Sequence, residues 1–373
     1  MASPQSTHDQ SPIDIRWPAS VTRRFLADLF LHAHVPTGRP RPTTEEASQV
    51  ADSLVAAHLA GHDSHGLLRV LEYIRQLADD ELRGGVPLTS LSESPGHFYG
   101  DANRGFGQVQ CRRMIDILWA KAAQTGVASG TMRNSGHAGR LGEWAELIAQ
   151  RGGCGLVAVT DNGVPRVVSA PGGLAPVLST NPVALGVPTS GDPLVLDIST
   201  SAVANGKLKA ARIAGKPVPP GWIQDAEGQP STDPHVMLAD PPGTLLPFGG
   251  DQAYKAFGLA ILLDVLVSGL AGGFTPPAPP GTVEFNNVLM VVWAPGRFAG
   301  EQHLREQASH LVRAIRESPR KPGIDAIRLP GDRSHASANE RGGLGLPVPV
   351  SLKSDLLALA ARLGVSPHPA LIG

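Results

Sequence analysis

The stretch LGEWAELIAQRGGCGLVAVT (141–160) decides the fold class. Its first part has the apolar spacing of an amphipathic helix, and GLVAVT (155–160) is a short apolar run typical of a buried strand. Further strand patterns, PLVLDIS (193–199) and VLMVVWAP (288–295), are separated by helical patterns. This alternation predicts an α/β protein whose sheet is covered by helices on both faces.

The same stretch argues against a Rossmann sheet. It holds the only G-x-G-x-x-[GA] match of the chain, formed by Gly153, Gly155 and Ala158. These residues follow a helix and enter a strand, whereas the dinucleotide fingerprint follows a strand and opens a helix. The match is therefore interpreted as a coincidence. The sequence also contains neither G-x-x-x-x-G-K-[ST] nor G-x-S-x-G, so it does not support a P-loop NTPase or an α/β-hydrolase.

The composition is that of a globular protein with a low-charge surface. Of 373 residues, 42% are hydrophobic and 17% are charged, and the formal net charge of -1 favours neither nucleic acid nor an anionic membrane as a partner. Two cysteines are too few for a disulfide framework or a cysteine-based zinc finger. The first residues lack the apolar region of a signal peptide. We therefore expect a cytoplasmic protein.

Helical patterns dominate both ends of the chain. Residues 1–20 are polar and are interpreted as a loose leader. TTEEASQVADSLVAAHLA (43–60) predicts a helix that Thr43 or Thr44 caps, and LLRVLEYIRQLADDEL (67–82) predicts a second one that Asp63 or Ser64 caps. The apolar run AFGLAILLDVLVSGLAGGF (256–274) contains an aspartate and several glycines, and we interpret it as a buried helix rather than a membrane span.

Three histidines, His58, His62 and His65, lie close together in the chain. On one continuous helix they would share a face like metal ligands, which would suit a metal-dependent hydrolase. Gly61 interrupts such a helix, and no H-E-x-x-H motif is present. His58 falls on the apolar stripe of its helix, which favours a packed ring. We expect no metal, and keep the hydrolase as an alternative from another class.

Three polar patches are candidates for contact with a small acid or another ligand. His65 and Arg69 fall in the first turns of a predicted helix, where helix N–H groups and a guanidinium suit a carboxylate. His137 lies in a Gly-rich turn, within RNSGHAGRLGEWAE (133–146), and LSTNP (178–182) is a short polar turn. The alternatives are an ordinary surface histidine and an ordinary turn.

Several stretches, in this order, resemble the malate/L-lactate dehydrogenase family that is unrelated to Rossmann enzymes. They are DSHGLLR (63–69), RNSGHAGR (133–140), APGG (170–173) before LSTNP, LVLDISTSAVANGKL (194–208), AGKPVPPGW (214–222), DAEGQPSTDP (225–234) and AYKAFGLA (253–260). The resemblance spans about residues 40 to 365. The family includes malate, sulfolactate, ureidoglycolate and diketogulonate oxidoreductases and an imino-acid reductase.

The resemblance implies an oxidoreductase that uses NAD or NADP and acts on a small 2-oxo or 2-hydroxy acid. It also implies a three-layer α/β/α fold with a mixed seven-stranded sheet, and a homodimer. Residues 126–309 would form the nicotinamide-binding domain, and 21–125 with 310–373 the helical, substrate-side part. An imino-acid reductase on the same fold needs the same carboxylate anchor, so the motifs leave it open.

The resemblance also implies roles for individual residues. His137 matches the acid/base histidine of the family. Ser64, His65 and Arg69 match its substrate motif. The positions that line the cofactor correspond here to Ser179, Thr180, Asn181 and Lys255, with a weaker match at Asp161. This division agrees with the chemistry, because reduction of a 2-oxo acid needs a carboxylate anchor, a proton donor and a bound nicotinamide.

Overall fold

The computed structural model describes residues 15–213 and 215–372. The chain divides into two compact units. Unit 1 takes the described residues up to Glu81 and those from Ser334 onward, and unit 2 is Leu82–Arg333. Each unit is described by itself.

The described strands, in chain order, are β1 Ile15–Trp17, β2 Thr89–Ser94, β3 His97–Asp101, β4 Val127–Ser135, β5 Cys154–Thr160, β6 Val168–Ser169, β7 Pro176–Leu178, β8 Val183–Val187, β9 Leu194–Ile198, β10 Ile223–Gln224, β11 Pro230–Ser231, β12 Thr244–Leu245, β13 Asn286–Trp293 and β14 Leu346–Val348. The described α-helices are α1 Ala19–Leu31, α2 Thr44–Leu59, α3 Arg69–Ala78, α4 Gly107–Thr125, α5 Leu141–Gln150, α6 Asn205–Ile213, α7 Ala253–Ala271, α8 Glu301–Glu317, α9 Asp332–Leu344, α10 Val350–Leu363 and α11 Pro369–Ile372. The predicted helices and strands quoted above are confirmed, with shifts of a few residues at their ends.

Unit 1 is largely helical. Its α2 begins with the predicted cap: the Thr43 hydroxyl accepts from the Glu46 amide, and the Glu46 carboxylate accepts from the Thr43 amide. β1 pairs antiparallel with β14, which joins the two ends of the chain. Residues 1–14 of the predicted leader lie outside the described residues. Residues 15–20 are instead β1 and the start of α1, because the Trp17 side chain is fully buried.

The start of α3 differs from its prediction. The helix begins at Arg69 with Leu68 at its N-cap position, and Asp63–His65 form a separate 3-10 turn. Neither Asp63 nor Ser64 caps it. Asp63 pairs with the Arg341 guanidinium instead, so its carboxylate faces another helix of unit 1. His65 therefore precedes the helix, and only Arg69 lies in its first turn.

Unit 2 is built on a seven-stranded mixed sheet. In the described residues the strand order is β2-β3-β4-β13-β5-β8-β9, and β3–β4 is its parallel pair. Val157 and Val159 of β5 pack with the core that α4 and α5 cover. Leu156 and Ala158, pointing the other way, pack with α7. Because successive strand residues face opposite sides, the sheet lies between two helical layers. The predicted three-layer α/β/α fold is confirmed.

A second, smaller sheet has the order β11-β10-β12-β6-β7. It packs with α6 around a core that includes Ile223, Leu245 and Leu208. The compact units divide at 81/82 and 333/334, whereas the resemblance implies functional parts that divide near 125 and 310. The helix α4 accounts for part of this difference, because it packs on β4 and β13 of the large sheet.

The sequence suggested that helix α7 is buried. In the structure, only one side of this helix is buried. Leu263 and Val267 pack on the sheet, whereas Leu262 is 64% exposed and Leu270 is 58% exposed. The segment Gly250–Ala271 is the one described helix that is long and apolar enough to cross a membrane by length and composition, and 33% of its most apolar window is buried. One face of α7 is therefore a core face, and the other is an exposed apolar face.

Candidate active site

His137 lies in the turn between β4 and α5. The end of β4 carries a bulge opposite β13, where Asn134 adopts a left-handed φ of 52°. Bulges of this kind redirect the chain next to functional sites. The Gly139 amide donates to Nδ1 of the half-buried His137 ring at 3.3 Å. Since Nδ1 accepts this bond, Nε2 carries the proton of the neutral ring.

Ala138, the residue after His137, is held by hydrogen bonds at both its backbone amide and its backbone carbonyl. The Ala138 amide donates to Oδ1 of Asn286 at 2.8 Å, and the indole of the buried Trp144 donates to the Ala138 carbonyl at 2.8 Å. These two bonds come from β13 and α5 respectively. They fix the backbone of the histidine turn relative to the sheet.

Asp161 and Ser179 are brought together although 18 residues separate them. Asp161 follows β5 directly, and one of its carboxylate oxygens accepts from the Ser179 hydroxyl at 2.5 Å. Its other oxygen accepts from Nδ2 of Asn286 at 2.8 Å. Asn286 thus contacts the histidine turn with one end of its amide and Asp161 with the other.

Asn181 joins the polar turn to α7. Its backbone is left-handed, with φ 34°, and Nδ2 donates to the Ala260 carbonyl at 3.1 Å and to Asp264 at 2.8 Å. Its Oδ1 is buried and has no hydrogen-bond partner among the described residues. Burial raises the pKa of Asp264, and the nearby charge of Asp161 adds to this, whereas the bonds from Asn181 and Ser268 oppose it.

The remaining predicted cofactor residues are Thr180 and Lys255. The Thr180 carbonyl accepts from both the amide and the hydroxyl of Thr200, at 3.0 and 2.9 Å. Lys255 is exposed in the first turn of α7, with its ammonium 5.8 Å from the centre of the Tyr254 ring. A cation beside the positive end of a helix dipole makes this helix end attractive to an anion.

In unit 1, the three predicted substrate residues form one cluster. The Ser64 hydroxyl and Nδ1 of His65 are 3.0 Å apart. Nε of Arg69 donates to the Ser64 carbonyl at 2.9 Å, and Nη1 donates to the Glu72 carboxylate at 2.6 Å. The guanidinium is therefore oriented by the backbone and already binds a carboxylate, the chemical group that the sequence predicts for its substrate.

His58 and His62 have protein partners that differ from those of a metal ligand set. Nε2 of the buried His58 lies 2.8 Å from the Pro347 carbonyl, and Nε2 of His62 lies 3.3 Å from the Ser334 hydroxyl. Across residues 15–213 and 215–372, no group of three or more His, Cys, Asp or Glu side chains is arranged to hold a metal ion.

Sequence reasoning missed one residue of this region and the contact made by another. Asn286 was not singled out, although the polar pair Asn286-Asn287 opens an otherwise apolar strand and is 6% and 1% exposed. Polar side chains at the buried start of an apolar strand are the signal that could have found it. Asp264 was noted in the helix, and the structure adds its bond to Asn181.

The fold is of the α/β class and is built on a mixed sheet rather than a Rossmann sheet. A sequence pattern described as malate/L-lactate dehydrogenase matches residues 18–357, and the chain belongs to that family. Members of the family include NAD(P)-dependent dehydrogenases that act on 2-hydroxy acids such as malate, lactate and sulfolactate. The predicted class of enzyme is therefore confirmed.

Similar proteins support this assignment over most of the chain. Malate dehydrogenase from Pyrococcus abyssi is 32% identical over 332 residues, which cover 86% of this chain and 89% of that protein. A Δ1-pyrroline-2-carboxylate/Δ1-piperideine-2-carboxylate reductase from Pseudomonas syringae pv. tomato is 33% identical over 317 residues, covering 83% and 87%. The solved structure of malate dehydrogenase from Pyrococcus horikoshii matches with a TM-score of 0.84 at 26% identity, covering 96% of this chain and 98% of that one.

Proposed function

We propose that this protein transfers a hydride between NAD(P)H and a small 2-oxo acid, with His137 as the acid/base residue. The observation that carries the proposal is the placement of His137 in a turn whose next residue is fixed by the Asn286 amide and the Trp144 indole. Imidazole is the side chain that gains and loses a proton most readily near neutral pH, so a ring held in place there is suited to acid/base work.

The residues proposed to hold the cofactor fit that role. The buried Oδ1 of Asn181, which has no partner in the described parts of the chain, is an acceptor for an amide or hydroxyl donor of the cofactor. Ser179, Thr180 and Asp161 supply further polar groups, and Lys255 supplies a cation for a phosphate. When bound, the nicotinamide supplies or accepts the hydride. Both NAD and NADP remain candidates.

His137 is proposed to move the proton of the reaction. As a 2-oxo acid is reduced, the hydride reaches the carbonyl carbon and the imidazolium form of His137 gives a proton to the carbonyl oxygen, which becomes the hydroxyl and leaves a neutral imidazole. In the oxidation direction, a neutral imidazole accepts the hydroxyl proton and becomes imidazolium. The fixed Ala138 peptide keeps the ring in place throughout.

Arg69 is proposed to bind the substrate carboxylate. Its guanidinium is oriented by the Ser64 carbonyl, and the carboxylate of a substrate would replace that of Glu72. His65, with its ring beside the Ser64 hydroxyl, is proposed to hydrogen-bond the 2-oxo or 2-hydroxyl group.

A second candidate is the reduction of a cyclic imino acid. Similarity to the reductase from Pseudomonas syringae favours it. Such a substrate also carries a carboxylate, and its C=N group is reduced by the same combination of hydride and proton. The two candidates therefore differ in the substrate and not in the residues proposed here.

The test follows nicotinamide absorbance with purified, chelator-treated protein. NADH and NADPH are each offered with pyruvate, oxaloacetate, 2-oxoglutarate, a 2,3-dioxo sugar acid and a cyclic imino acid. We expect oxidation of the cofactor with at least one 2-oxo acid. Turnover with the imino acid alone would select the second candidate, and a protein that binds neither NADH nor NADPH would instead favour the hydrolase alternative at His58, His62 and His65.

We also propose that the protein is a homodimer and that the exposed face of α7 is its interface. Seven large apolar side chains on one half of this helix are 38–64% exposed: Tyr254, Leu259, Ile261, Leu262, Val265, Leu266 and Leu270. A helix that is apolar all round is normally covered on both sides. A second copy supplies an apolar surface of the same kind, as an isologous interface requires.

A further inference from the structure

The buried amide of Asn286 lies where three strand ends meet. Strand β13 runs antiparallel to both β4 and β5, so its first residue lies beside the last residues of both neighbours. Asn286 pairs with Ser135, two residues before His137, and Asn287 pairs with Thr160, directly before Asp161. This topology brings together three segments that are far apart in the sequence.

The orientation of the amide is unambiguous. Oδ1 lies 2.8 Å from the Ala138 amide, which can only donate, and Nδ2 lies 2.8 Å from the Asp161 carboxylate, which as an ion can only accept. Exchanging the two ends would place a donor against a donor and an acceptor against an acceptor. Asn286 is 6% exposed, so water does not substitute for either bond.

We propose that Asn286 is a positioning residue that couples the His137 turn to the cofactor turn. Three hydrogen bonds in series, Ala138 to Asn286, Asn286 to Asp161 and Ser179 to Asp161, set the position of one turn relative to the other. This role rests on the proposed function, in which His137 moves the proton and Ser179 lines the cofactor.

Packing alone does not explain an asparagine at this position. The six residues that complete β13 after the asparagine pair are apolar, and an apolar side chain of similar volume would fill the space without needing partners. A buried amide with both ends bonded instead specifies one relative placement of the groups that it joins. The bonds therefore serve the geometry of the two turns.

The test compares three variants for NAD(P)H affinity, by nicotinamide fluorescence, and for kcat. Asn286→Ala removes both bonds, and we expect cofactor Kd to rise and kcat to fall, each on the order of tenfold or more. Asn287→Ala is the matched control, because Asn287 is an equally buried amide that contacts Asn162 and not Asp161. Thermal unfolding of both variants separates these effects from a loss of folding.

Asn286→Asp provides a signature that a purely structural role would not give. The new carboxyl still accepts from the Ala138 amide, but it donates to Asp161 only while it is protonated. We therefore expect the cofactor Kd of this variant to rise with pH between about pH 5 and pH 8, more steeply than that of the wild type. Asn286→Ala should show no such added dependence.

A double-mutant cycle with Ser179→Ala completes the test. Coupling through Asp161 makes the effects of Asn286→Ala and Ser179→Ala on cofactor Kd non-additive. Additive effects, or wild-type Kd and kcat in Asn286→Ala, would overturn the proposed role. A wild-type protein that binds neither NADH nor NADPH would overturn the proposed function first, and the role with it. If the wild type binds NADH or NADPH but shows no turnover, the Kd measurements by themselves test the role of Asn286.

Discussion

At the residue scale, His137 is the side chain on which the proposed chemistry depends most directly. Replacing it with asparagine keeps a polar group of similar size but removes the ring that gives and takes the proton. We expect kcat to fall by about 10²–10⁴-fold while cofactor Kd changes little. His97→Asn, on an exposed edge of the same unit, is the control and should retain activity. A near-normal rate for His137→Asn would remove the acid/base assignment.

Arg69 illustrates why a conservative change can be severe. Its Nε and Nη1 donate to different partners, and lysine cannot reproduce that fork. Arg69→Lys should raise KM for the acid on the order of tenfold or more, with a smaller effect on cofactor Kd. Arg75→Lys changes an exposed arginine of the same helix and serves as the control. Equal KM values for the two variants would contradict the proposed anchor.

Asp264 makes stability depend on pH in a defined direction. Burial raises its pKa in the folded protein above the unfolded value. The folded state then binds more protons than the unfolded state in the window between the two pKa values, so this contribution to stability is lost as pH rises through that window.

The matching measurement compares wild type with Asp264→Asn by urea unfolding at a series of pH values from about 4 upward. The stability of the wild type relative to the variant should decline as pH rises. Asp251→Asn removes an exposed carboxyl at the start of the same helical segment and should show no such trend. A difference that grows with pH would mean that the pKa of Asp264 is lowered in the folded protein.

At the scale of elements, a glycine sets how closely α5 approaches the sheet. A Cβ atom at Gly186 of β8 would lie 2.2 Å from the Ala145 carbonyl oxygen of α5. Backbone atoms cannot move aside as a flexible side chain can. Gly186→Ala should therefore lower the free energy of unfolding by about 1–3 kcal/mol.

The control for this contact is Gly191→Ala, where the nearest atom to the added Cβ is 4.0 Å away. We expect Gly191→Ala to unfold at nearly the same urea concentration as the wild type. The indole of Trp144, on α5, donates a hydrogen bond to the Ala138 carbonyl, so a shift of α5 should also displace the His137 turn. Unchanged stability in Gly186→Ala would show that α5 can move away at little cost.

At the scale of the whole molecule, the exposed face of α7 should decide the association state. Seven large apolar side chains that are about half exposed present several hundred Å² of apolar surface, a substantial part of the roughly 800 Å² that one side of a standard interface buries. Leu262→Glu places a charge in the middle of this face. Sedimentation should show a dimer for the wild type and a monomer for this variant.

Leu311→Glu, on an exposed position of α8, is the control for this experiment. A wild type that stays monomeric at high concentration, or that binds lipid vesicles through α7, would contradict the proposed homodimer. Vesicle flotation of the wild type and of Leu262→Glu distinguishes these two results.

The sequence by itself was sufficient for the local structure and for the class of enzyme. The alternation of 3.6-residue and two-residue patterns predicted α2, α5, β5 and β13, because burial of one face imposes those periods on the chain. The Thr43 capping box and the family motifs are likewise local patterns. They do not depend on which strands become neighbours.

Only the tertiary structure decided which polar groups meet. Asn286 is 148 residues from Ala138 and 125 from Asp161, and the antiparallel placement of β13 between β4 and β5 is what joins them. The start of α3 at Arg69 and the exposed face of α7 were also missed, since both depend on long-range contacts. Periodicity reports that a side chain is apolar or that a turn is polar. The groups that contact such a side chain or turn are determined by strand order and by packing between distant segments.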